Sequence, residues 1–371
     1  MSAAGMTARS VLLAGGGTAG HVSPLLALAD CLRREDPTVT IAALGTAEGL
    51  ESRLVPGRGY DLALVPKVPL PRKPSADLLR LPRNLGAAVR AAATAIEDID
   101  ADVVVGFGGY VSTPAYLAAR RRGIPIVVHE QNARPGIANR LGARFATHVA
   151  VTFPDTPLPR AVVTGMPLRR EIALLDRPGL RPKALAHFGL DPQWPTVLVT
   201  GGSLGAARIN AAFEASVSAL RAAGVQVLHV TGQGKEIEVS AARDGEPPYV
   251  VVPYADRMDL AYAAVDLVVG RAGANTVCEL TAVGLPAVYV PLPIGNGEQR
   301  LNVSTVVAAG GGILVDDARM TANWVCDNLP LLLRDSTRLA AMASAAASVG
   351  ERGGDQLLAD LVHRAARTVR R

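Results

Sequence analysis

Short runs of apolar residues alternate along this chain with Ala- and Leu-rich stretches of helical periodicity. In the first half the apolar runs are "SVLLAG", "VTIAAL", "ADVVVGFG", "IPIVVHE" and "THVAVTF". In the second half they are "TVLVTGGS", "VQVLHVTG", "YVVVPY", "DLVVGRAG" and "PAVYVPL". Continuous apolar strands of this length are typical of a parallel sheet that helices cover on both faces. The alternation therefore predicts an α/β protein with a doubly wound sheet in each half.

The pattern is interrupted between residues 170 and 195, where proline and charged residues replace the apolar runs. Each half opens alike with a strand, a glycine-rich turn and a helix, in "LLAGGGTAGH" and "LVTGGSLGAAR". We therefore predict Rossmann-like domains over residues 1–170 and 171–350, facing a central cleft beyond the carboxyl ends of their strands. The basic segment 351–371 is expected to form a helix that packs back on the first domain.

Composition narrows the class of protein. Hydrophobic residues make up 49% of the chain and aromatic residues only 4%, so the core is expected to consist mainly of Ala, Val and Leu. The net charge of +5 suits an anionic ligand or membrane surface, but it is too small and too scattered to indicate nucleic-acid binding. Cys31, Cys278 and Cys326 are widely spaced, which favours reduced thiols in a cytoplasmic protein and no metal site. No run reaches the ~18 apolar residues that a membrane span requires.

One segment fits neither half, "VPKVPLPRKPSADLLRLPRNLGAAVRAA" from Val65 onward. Basic and apolar residues are mixed in it, namely Lys67, Arg72, Lys73, Leu78, Leu79, Arg80 and Arg83. Such a surface suits an anionic lipid interface. A long loop leading into an amphipathic helix with solvated arginines explains the same residues, so both interpretations stay open on the residues alone.

The first glycine turn raises the question of a dinucleotide. Gly15, Gly17 and Gly20 fit the G-x-G-x-x-G fingerprint, which also needs an acidic residue at the end of the second strand. That strand ends at Gly45, and the nearest carboxylate, Glu48, comes late. The turn is therefore interpreted as a phosphate cradle with free backbone N–H groups at a helix N-terminus rather than as a nicotinamide site.

Polar side chains follow the apolar strands of the first half. His21 stands on the first helical turn, where it is suited to act as a general base; a histidine that caps the helix or binds phosphate is the alternative. "GFGGYVSTP" is a second glycine turn, in which Ser112 and Thr113 offer hydroxyl donors. The run "HEQN", residues 129–132, ends another strand and indicates either a site or a polar network that fixes the loop.

The second half offers groups suited to a nucleotide sugar. Ser203 in "GGSLGA" lies at a helix N-terminus suited to a diphosphate. Glu279 in "GRAGANTVCEL" lies about one helical turn in, where its carboxylate suits the 2′- and 3′-hydroxyls of a ribose. A solvated glutamate that interacts with the helix dipole is the alternative. "GNGEQRLN" is an amide-rich stretch typical of sugar recognition.

Six motifs, "GGGTAGH", "GGYVSTP", "HEQN", "GGSLGA", "RAGANTVCE" and "GNGEQRLN", occur in this order over essentially the whole chain. Together they resemble the MurG-type N-acetylglucosaminyltransferases of peptidoglycan synthesis, which have the GT-B fold and belong to glycosyltransferase family 28. The resemblance implies inverting transfer of GlcNAc from UDP-GlcNAc to the C4 hydroxyl of MurNAc in lipid I, which gives lipid II. It also implies a peripheral enzyme on the cytoplasmic face of the cell membrane, with other cell-wall synthesis and division proteins as candidate partners.

The resemblance assigns roles position by position. The donor contacts it implies are Thr18, Ala19, Gly20, Asn132, Arg169, Ser203, Ala255, Ala274, Asn275, Thr276, Val277, Cys278, Glu279 and Gln299. The acceptor diphosphate is expected on Gly16, Gly17, Gly108, Gly109 and Tyr110. His21 is the favoured base, and a water-mediated route through Glu130 stays open. No metal and no tightly bound cofactor is implied, and whether a divalent cation stimulates the reaction stays open.

Some positions depart from the family pattern, and two other functions remain as alternatives. Ala19 replaces a common glycine, Met166 a common asparagine, and Cys278 a common serine. A UDP-sugar 2-epimerase of similar fold is the main alternative, although it should carry more carboxylates. An NAD(P) oxidoreductase explains the first glycine turn but neither the second half nor the missing acid.

Overall fold

The structure, a computed structural model, describes residues 7–68, 77–202 and 206–368, with the side chains of all of these except residues 77–81. The chain divides into two compact units. Unit 1 consists of Met1–Arg169 together with Arg352–Arg371, and unit 2 consists of Arg170–Glu351.

Unit 1 is built on a parallel sheet. Its strands are β1 (Ser10–Gly15), β2 (Thr40–Gly45), β3 (Asp61–Leu64), β4 (Val103–Gly108), β5 (Ile126–Glu130), β6 (His148–Val151) and β7 (Ala161–Val163). Its first helices are α1 (Ala19–Glu35), α2 (Glu51–Gly57), α3 (Asp77–Asp98), α4 (Ser112–Arg122) and α5 (Ile137–Gly142). The strand order is β3-β2-β1-β4-β5-β6-β7, so the order reverses between β1 and β4. Ligands of doubly wound sheets bind at this switch point, beyond the carboxyl ends of the strands.

Unit 2 repeats this topology. Its strands are β8 (Thr196–Thr200), β9 (Gln226–Val230), β10 (Tyr249–Val252), β11 (Leu267–Gly270), β12 (Ala287–Tyr289) and β13 (Gly312–Leu314), in the order β10-β9-β8-β11-β12-β13. Its helices are α6 (Arg170–Ala173), α7 (Arg177–Phe188), α8 (Ala207–Glu214), α9 (Val217–Ala222), α10 (Met258–Ala264), α11 (Ala274–Ala282), α12 (Glu298–Asn302), α13 (Ser304–Ala308), α14 (Ala322–Arg334) and α15 (Ser336–Ser348), with a 3-10 turn at Asp317–Arg319. Its switch point lies between β8 and β11.

The last helix, α16 (Gly354–Arg367), belongs to unit 1. Its apolar face, which includes Leu358, Leu361 and Val362, lies in the same buried cluster as the inner face of α1. Asp355 pairs with Arg34 at 2.7 Å, and His363 Nε2 lies 2.8 Å from Glu35 Oε2. Polar contacts at the rim of an apolar face therefore fix how this helix lies on α1.

The predicted doubly wound α/β sheet in each half is confirmed. The central strands are buried along their whole length, as their continuous apolar runs require. The sequence analysis missed β3, β7 and β13, which are short and partly exposed. Since β3, β7 and β13 lie at sheet edges, they need no long apolar run and carry a weak signal.

Candidate active site

Two glycine turns meet at the switch point of unit 1. One follows β1, where Gly17 has a φ of +87°, and the other follows β4, where Gly108 and Gly109 have φ values of +95° and +80°. A Cβ atom on Gly109 would lie 2.6 Å from the carbonyl oxygen of Gly16. Only glycine permits both the backbone conformation and this close approach.

His21 lies on the first turn of α1, against both glycine turns. Its Nδ1 lies 3.1 Å from the carbonyl oxygen of Gly16 and 3.1 Å from Thr18 Oγ1. A carbonyl oxygen only accepts, so the neutral ring carries its proton on Nδ1 and leaves the Nε2 lone pair unprotonated. Burial lowers the pKa of His21, while the Gly16 carbonyl and the Glu51 charge oppose that change. A neutral imidazole with an unprotonated Nε2 is suited to accept a proton.

Glu51 is a site residue that sequence reasoning missed. It is fully buried, and its Oε2 accepts a hydrogen bond from the N–H of Gly17 at 2.8 Å. The expectation that the first turn offers free N–H groups is therefore wrong for Gly17. Along the chain Glu48 is the first carboxylate after β2, whereas Glu51 begins the next helix and its side chain reaches back to the N–H groups of Thr46 and Gly17.

Glu130 lies at the end of β5 with both oxygens in use. The carboxylate accepts hydrogen bonds from the N–H groups of Asn132 and Gly136 and from Asn139 Nδ2, each at 3.0 Å. Burial raises the pKa of Glu130, and these hydrogen bonds oppose the rise. Such a carboxylate is suited to hold the turn after β5 rather than to relay a proton through water.

The neighbours of Glu130 form the polar network that the sequence analysis gave as the alternative. The Nε2 of His129 lies 3.0 Å from the Gly165 carbonyl oxygen, and burial lowers the pKa of His129 to about 4. Gln131 Nε2 donates to the His129 carbonyl at 2.9 Å. Asn132 is half-buried at the end of this network.

The second glycine turn uses its own hydroxyl internally. Ser112 Oγ accepts from the N–H of Gly108 at 2.9 Å and contacts the carbonyl oxygens of Ala14 and Gly108. The expectation that Ser112 serves as a donor for a ligand is therefore wrong, because its hydroxyl ties the turn to β1. Tyr110 is 46% exposed at the tip of the turn and remains a candidate contact.

In unit 2 the strand β11 leads directly into α11. The residue at the N-cap of α11 is Gly273, which has no side chain to cap the first N–H groups of the helix. The segment Ala274–Glu279 runs through the first turns of α11, with Ala274 and Val277 buried. A helix N-terminus at a switch point, with a glycine as its N-cap residue, suits a phosphate or another anion.

Glu279 is held in place by a tyrosine that the sequence analysis did not single out. The hydroxyl of Tyr262, on α10, donates to Glu279 Oε2 at 2.8 Å. Glu279 is only 9% exposed, so it is not the solvated glutamate of the alternative interpretation. No local pattern marks Tyr262, since the two residues meet only through the packing of α10 and α11.

Gln299 is oriented by two strand ends. Its Oε1 accepts from the N–H of Ala272 at 3.2 Å and from the N–H of Leu292 at 2.9 Å, which connects the loops after β11 and β12. The side-chain amide therefore offers its Nε2 hydrogens to a ligand.

The other predicted positions are distributed over both units. Ala255 is buried after β10, and Arg169 is half-buried at the end of unit 1. Burial raises the pKa of the Cys278 thiol, which keeps it protonated. Thr18 is the N-cap of α1, and Ala19 and Gly20 begin the helix. Ser203 lies outside the described residues.

The predicted membrane surface is described only in part. Lys67 and Arg83 are exposed, and Lys67 lies 3.4 Å from Glu48. Arg72 and Lys73 lie outside the described residues, as do the side chains of Leu78, Leu79 and Arg80. Among the described helices, none is long and apolar enough to cross a membrane. The described residues also contain no cluster of three or more His, Cys, Asp or Glu side chains placed to hold a metal ion.

Two doubly wound parallel sheets, each with a helix N-terminus at its switch point, define a class of two-unit α/β proteins with a Rossmann-like arrangement. The glycosyltransferase family 28 N-terminal domain matches residues 11–151, and the C-terminal domain of that family matches residues 196–358. The chain belongs to glycosyltransferase family 28 and is a glycosyltransferase.

Individual relatives agree with this assignment. The UDP-N-acetylglucosamine–N-acetylmuramyl-(pentapeptide) pyrophosphoryl-undecaprenol N-acetylglucosamine transferase of a Nocardioides species is 60% identical over 354 residues, covering 95% of this chain and 97% of the relative. The crystal structure of Acinetobacter baumannii MurG has a TM-score of 0.76 at 28% identity, covering 96% of this chain and 99% of the other. A UDP-GlcNAc 2-epimerase from Neisseria meningitidis has a TM-score of 0.66 at 14% identity, over 96% of this chain and all of the other, which shows a shared fold alone.

Proposed function

We propose that this enzyme transfers GlcNAc from UDP-GlcNAc to the C4 hydroxyl of MurNAc in lipid I, with inversion at the anomeric carbon, and so forms lipid II. The observation that carries the proposal is the 60% identity, over nearly the whole chain, to a relative whose name states this transfer. The distant epimerase shares only the fold, so the epimerase alternative has much weaker support.

Unit 2 is the proposed donor unit. The N-terminus of α11, together with Ser203, takes the diphosphate of UDP-GlcNAc. Glu279, oriented by Tyr262, accepts hydrogen bonds from the ribose hydroxyls. Gln299 donates from its Nε2 to a sugar hydroxyl.

Unit 1 is proposed to supply the base. The Nε2 of His21 takes the proton of the C4 hydroxyl as that oxygen attacks the anomeric carbon of GlcNAc. The bond from the anomeric carbon to the β-phosphate oxygen breaks, and its electron pair leaves with UDP. The developing charge on that phosphate is stabilised by backbone N–H groups.

The acceptor diphosphate is proposed to rest on the glycine turns of unit 1. Because the N–H of Gly17 is bonded to Glu51, the contribution of this turn comes from other groups. The segment around Gly109 and the exposed Tyr110 is the better-supported part of that assignment.

We place the enzyme on an anionic membrane surface at the cytoplasmic face, since the acceptor carries a polyprenyl chain. The basic and apolar residues between Lys67 and Arg83 are the proposed docking surface. Reversing the charge of Arg80 and Arg83 should abolish sedimentation with anionic vesicles while leaving turnover of a detergent-solubilised acceptor unchanged. Undiminished vesicle binding would contradict this surface.

Transfer of labelled GlcNAc to a lipid I analogue is the test of the function. We expect an acceptor-dependent product with a β-1,4 linkage. Release of UDP without acceptor, or epimerised sugar in the donor pool, would overturn the assigned reaction while leaving the family and fold intact. Adding EDTA and then Mg²⁺ in the same assay tests whether a divalent cation stimulates transfer.

A further inference from the structure

The carboxylate of Glu51 is buried among hydrogen-bond donors and glycines. Its Oε2 accepts from the N–H of Gly17 at 2.8 Å, and its Oε1 accepts from the N–H and the hydroxyl of Thr46, both at 2.9 Å. A Cβ atom on Gly16 would lie 2.5 Å from Oε1, and one on Gly49 would collide with Oε2. A carboxylate therefore fits this place only because neighbouring residues lack side chains.

Glu51 is an anion in the folded protein. Although its burial alone would raise the pKa, the hydrogen bonds from Gly17 and Thr46 hold the pKa of Glu51 below its usual value. A carboxylate bonded to the Gly17 N–H occupies the position that a phosphate takes when a glycine turn binds a nucleotide. This turn has an internal anion where a ligand was expected.

The bonds to Glu51 and to His21 meet in one peptide group. The N–H of Gly17, which donates to Glu51, and the carbonyl of Gly16, which lies 3.1 Å from His21 Nδ1, are the two ends of the Gly16–Gly17 peptide. This group is planar, and its N–H and C=O point in opposite directions. The carboxylate and the imidazole thus hold opposite ends of one rigid unit, and hydrogen bonds in such a chain polarise one another.

We propose that Glu51 is a positioning residue for His21, acting through the Gly16–Gly17 peptide to keep the imidazole proton on Nδ1 and the Nε2 directed at the acceptor hydroxyl. This inference rests on the proposed role of His21 as the base. It assigns the N–H of the first glycine turn to the orientation of the base rather than to a phosphate of either substrate.

The test is Glu51→Gln, measured in the transfer assay with the full chain. The amide keeps the size of the side chain, but its NH₂ group opposes either the N–H of Gly17 or the donors of Thr46. We expect kcat to fall about 10- to 100-fold, part of the range for a positioned base. The KM for UDP-GlcNAc should stay within about twofold, since Glu51 belongs to unit 1 and the proposed contacts to the nucleotide belong to unit 2.

The dependence of kcat on pH distinguishes a positioning role of Glu51 from a purely structural one. The Glu51 charge stabilises the imidazolium form of His21, so its removal lowers the pKa of His21 further. The acidic limb of the profile of kcat against pH should therefore move to lower pH in Glu51→Gln. An unmoved limb, or one that moves to higher pH, would overturn the inference.

Two further variants test whether Glu51 acts through His21 and whether its position, rather than its charge alone, matters. In a His21→Ala background, Glu51→Gln should cost less than about twofold more, because a residue that acts through another has no effect once that residue is gone. Glu48→Gln removes the same charge from the exposed part of the β2–α2 loop and should leave both kcat and the pH profile unchanged. Additive losses, or an equal shift in Glu48→Gln, would contradict the proposal.

Failure of this inference is distinguishable from failure of the proposed function. If His21→Ala keeps wild-type kcat, the assignment of the base is wrong; if only Glu51→Gln keeps it, the positioning role is wrong. Should Glu51→Gln not fold, as judged by circular dichroism, Thr46→Val removes one of the three hydrogen bonds and retains the charge. This variant should lower kcat several-fold without moving the acidic limb, and wild-type kcat in it would overturn the proposal.

Discussion

His21 and Glu279 show how a neighbouring group sets the role of a side chain. A carbonyl oxygen beside Nδ1 decides which nitrogen of His21 is unprotonated, and the phenol of Tyr262 decides how Glu279 is oriented. Loss of His21 is predicted to lower kcat, and loss of the Tyr262 hydroxyl is predicted to raise the KM for UDP-GlcNAc, so kinetics can separate the two roles.

We predict that His21→Ala lowers kcat by about 10²- to 10⁴-fold, the usual loss when a positioned base is removed. The affinity for UDP should change little, because the proposed nucleotide contacts lie in unit 2. Steady-state kinetics combined with UDP titration measures both constants. An equal loss of turnover and UDP affinity would make His21 a binding residue.

We predict that Tyr262→Phe raises the KM for UDP-GlcNAc by about 3- to 10-fold and leaves kcat nearly unchanged, since a hydrogen bond of this kind is worth about 1 kcal/mol. Tyr289→Phe is a matched control, because the buried Tyr289 hydroxyl makes no hydrogen bond with any described residue. It should not change KM.

A modified donor tests whether the effect of Tyr262→Phe depends on the ribose. With a 2′,3′-dideoxyuridine donor, the difference between wild type and Tyr262→Phe should disappear. If the difference persists, Glu279 does not bind the ribose.

At the scale of elements, α16 explains how the end of the chain stabilises the first unit. Its buried residues share a cluster with α1 and the central strands, and its rim is held by the Arg34–Asp355 and Glu35–His363 pairs. The hydrophobic contribution of such a face scales with the apolar area that it removes from water.

We predict that Leu358→Ala lowers the free energy of unfolding of unit 1 by about 2–5 kcal/mol, the usual cost of a large-to-small change in a packed core. Leu357→Ala, on the same helix but 42% exposed, should change it by less than about 0.5 kcal/mol. Urea denaturation followed by circular dichroism measures both variants. Equal effects would show that α16 is not packed as described.

At the scale of the whole molecule, buried histidines couple the free energy of unfolding to pH, among them His129 in unit 1 and His229 in unit 2. Burial lowers the pKa values of His129 and His229 to about 4. His229 is enclosed by Tyr249 and Asn210, which contact Nδ1 and Nε2. Below the ordinary value of about 6.5 the unfolded chain takes up protons that the folded chain does not.

We therefore predict that the contribution of these histidines to the free energy of unfolding is fully present above about pH 6.5. It should decline as the pH falls toward 4, by up to ~1.4 kcal/mol per pH unit for each histidine. The tryptophans, Trp194 and Trp324, lie in unit 2, so fluorescence-detected denaturation reports the contribution of His229. His229→Gln should flatten the decline between pH 6.5 and 5, whatever its effect on absolute stability. An unchanged slope would contradict the linkage.

The sequence by itself determined the strand–helix alternation, the doubly wound sheets and the glycine turns, because apolar runs and glycines act through local geometry. Ordered motifs over the whole chain also determined the family. The sequence did not reveal the edge strands β3, β7 and β13, because their partly exposed residues show no clear run or alternation of apolar residues.

Only the tertiary structure decided what the polar residues of the site do. It brought Glu51 to Gly17 and Tyr262 to Glu279. It also brought the Glu130 carboxylate to two N–H groups of the turn after β5 and to a side-chain amide on α5. The spacing of Glu51 from the glycine turn fits no dinucleotide motif, and Tyr262 and Glu279 are carried by different helices. The role of a charged or hydroxyl group is set by the partners that reach it through packing, and packing is a property of the folded chain.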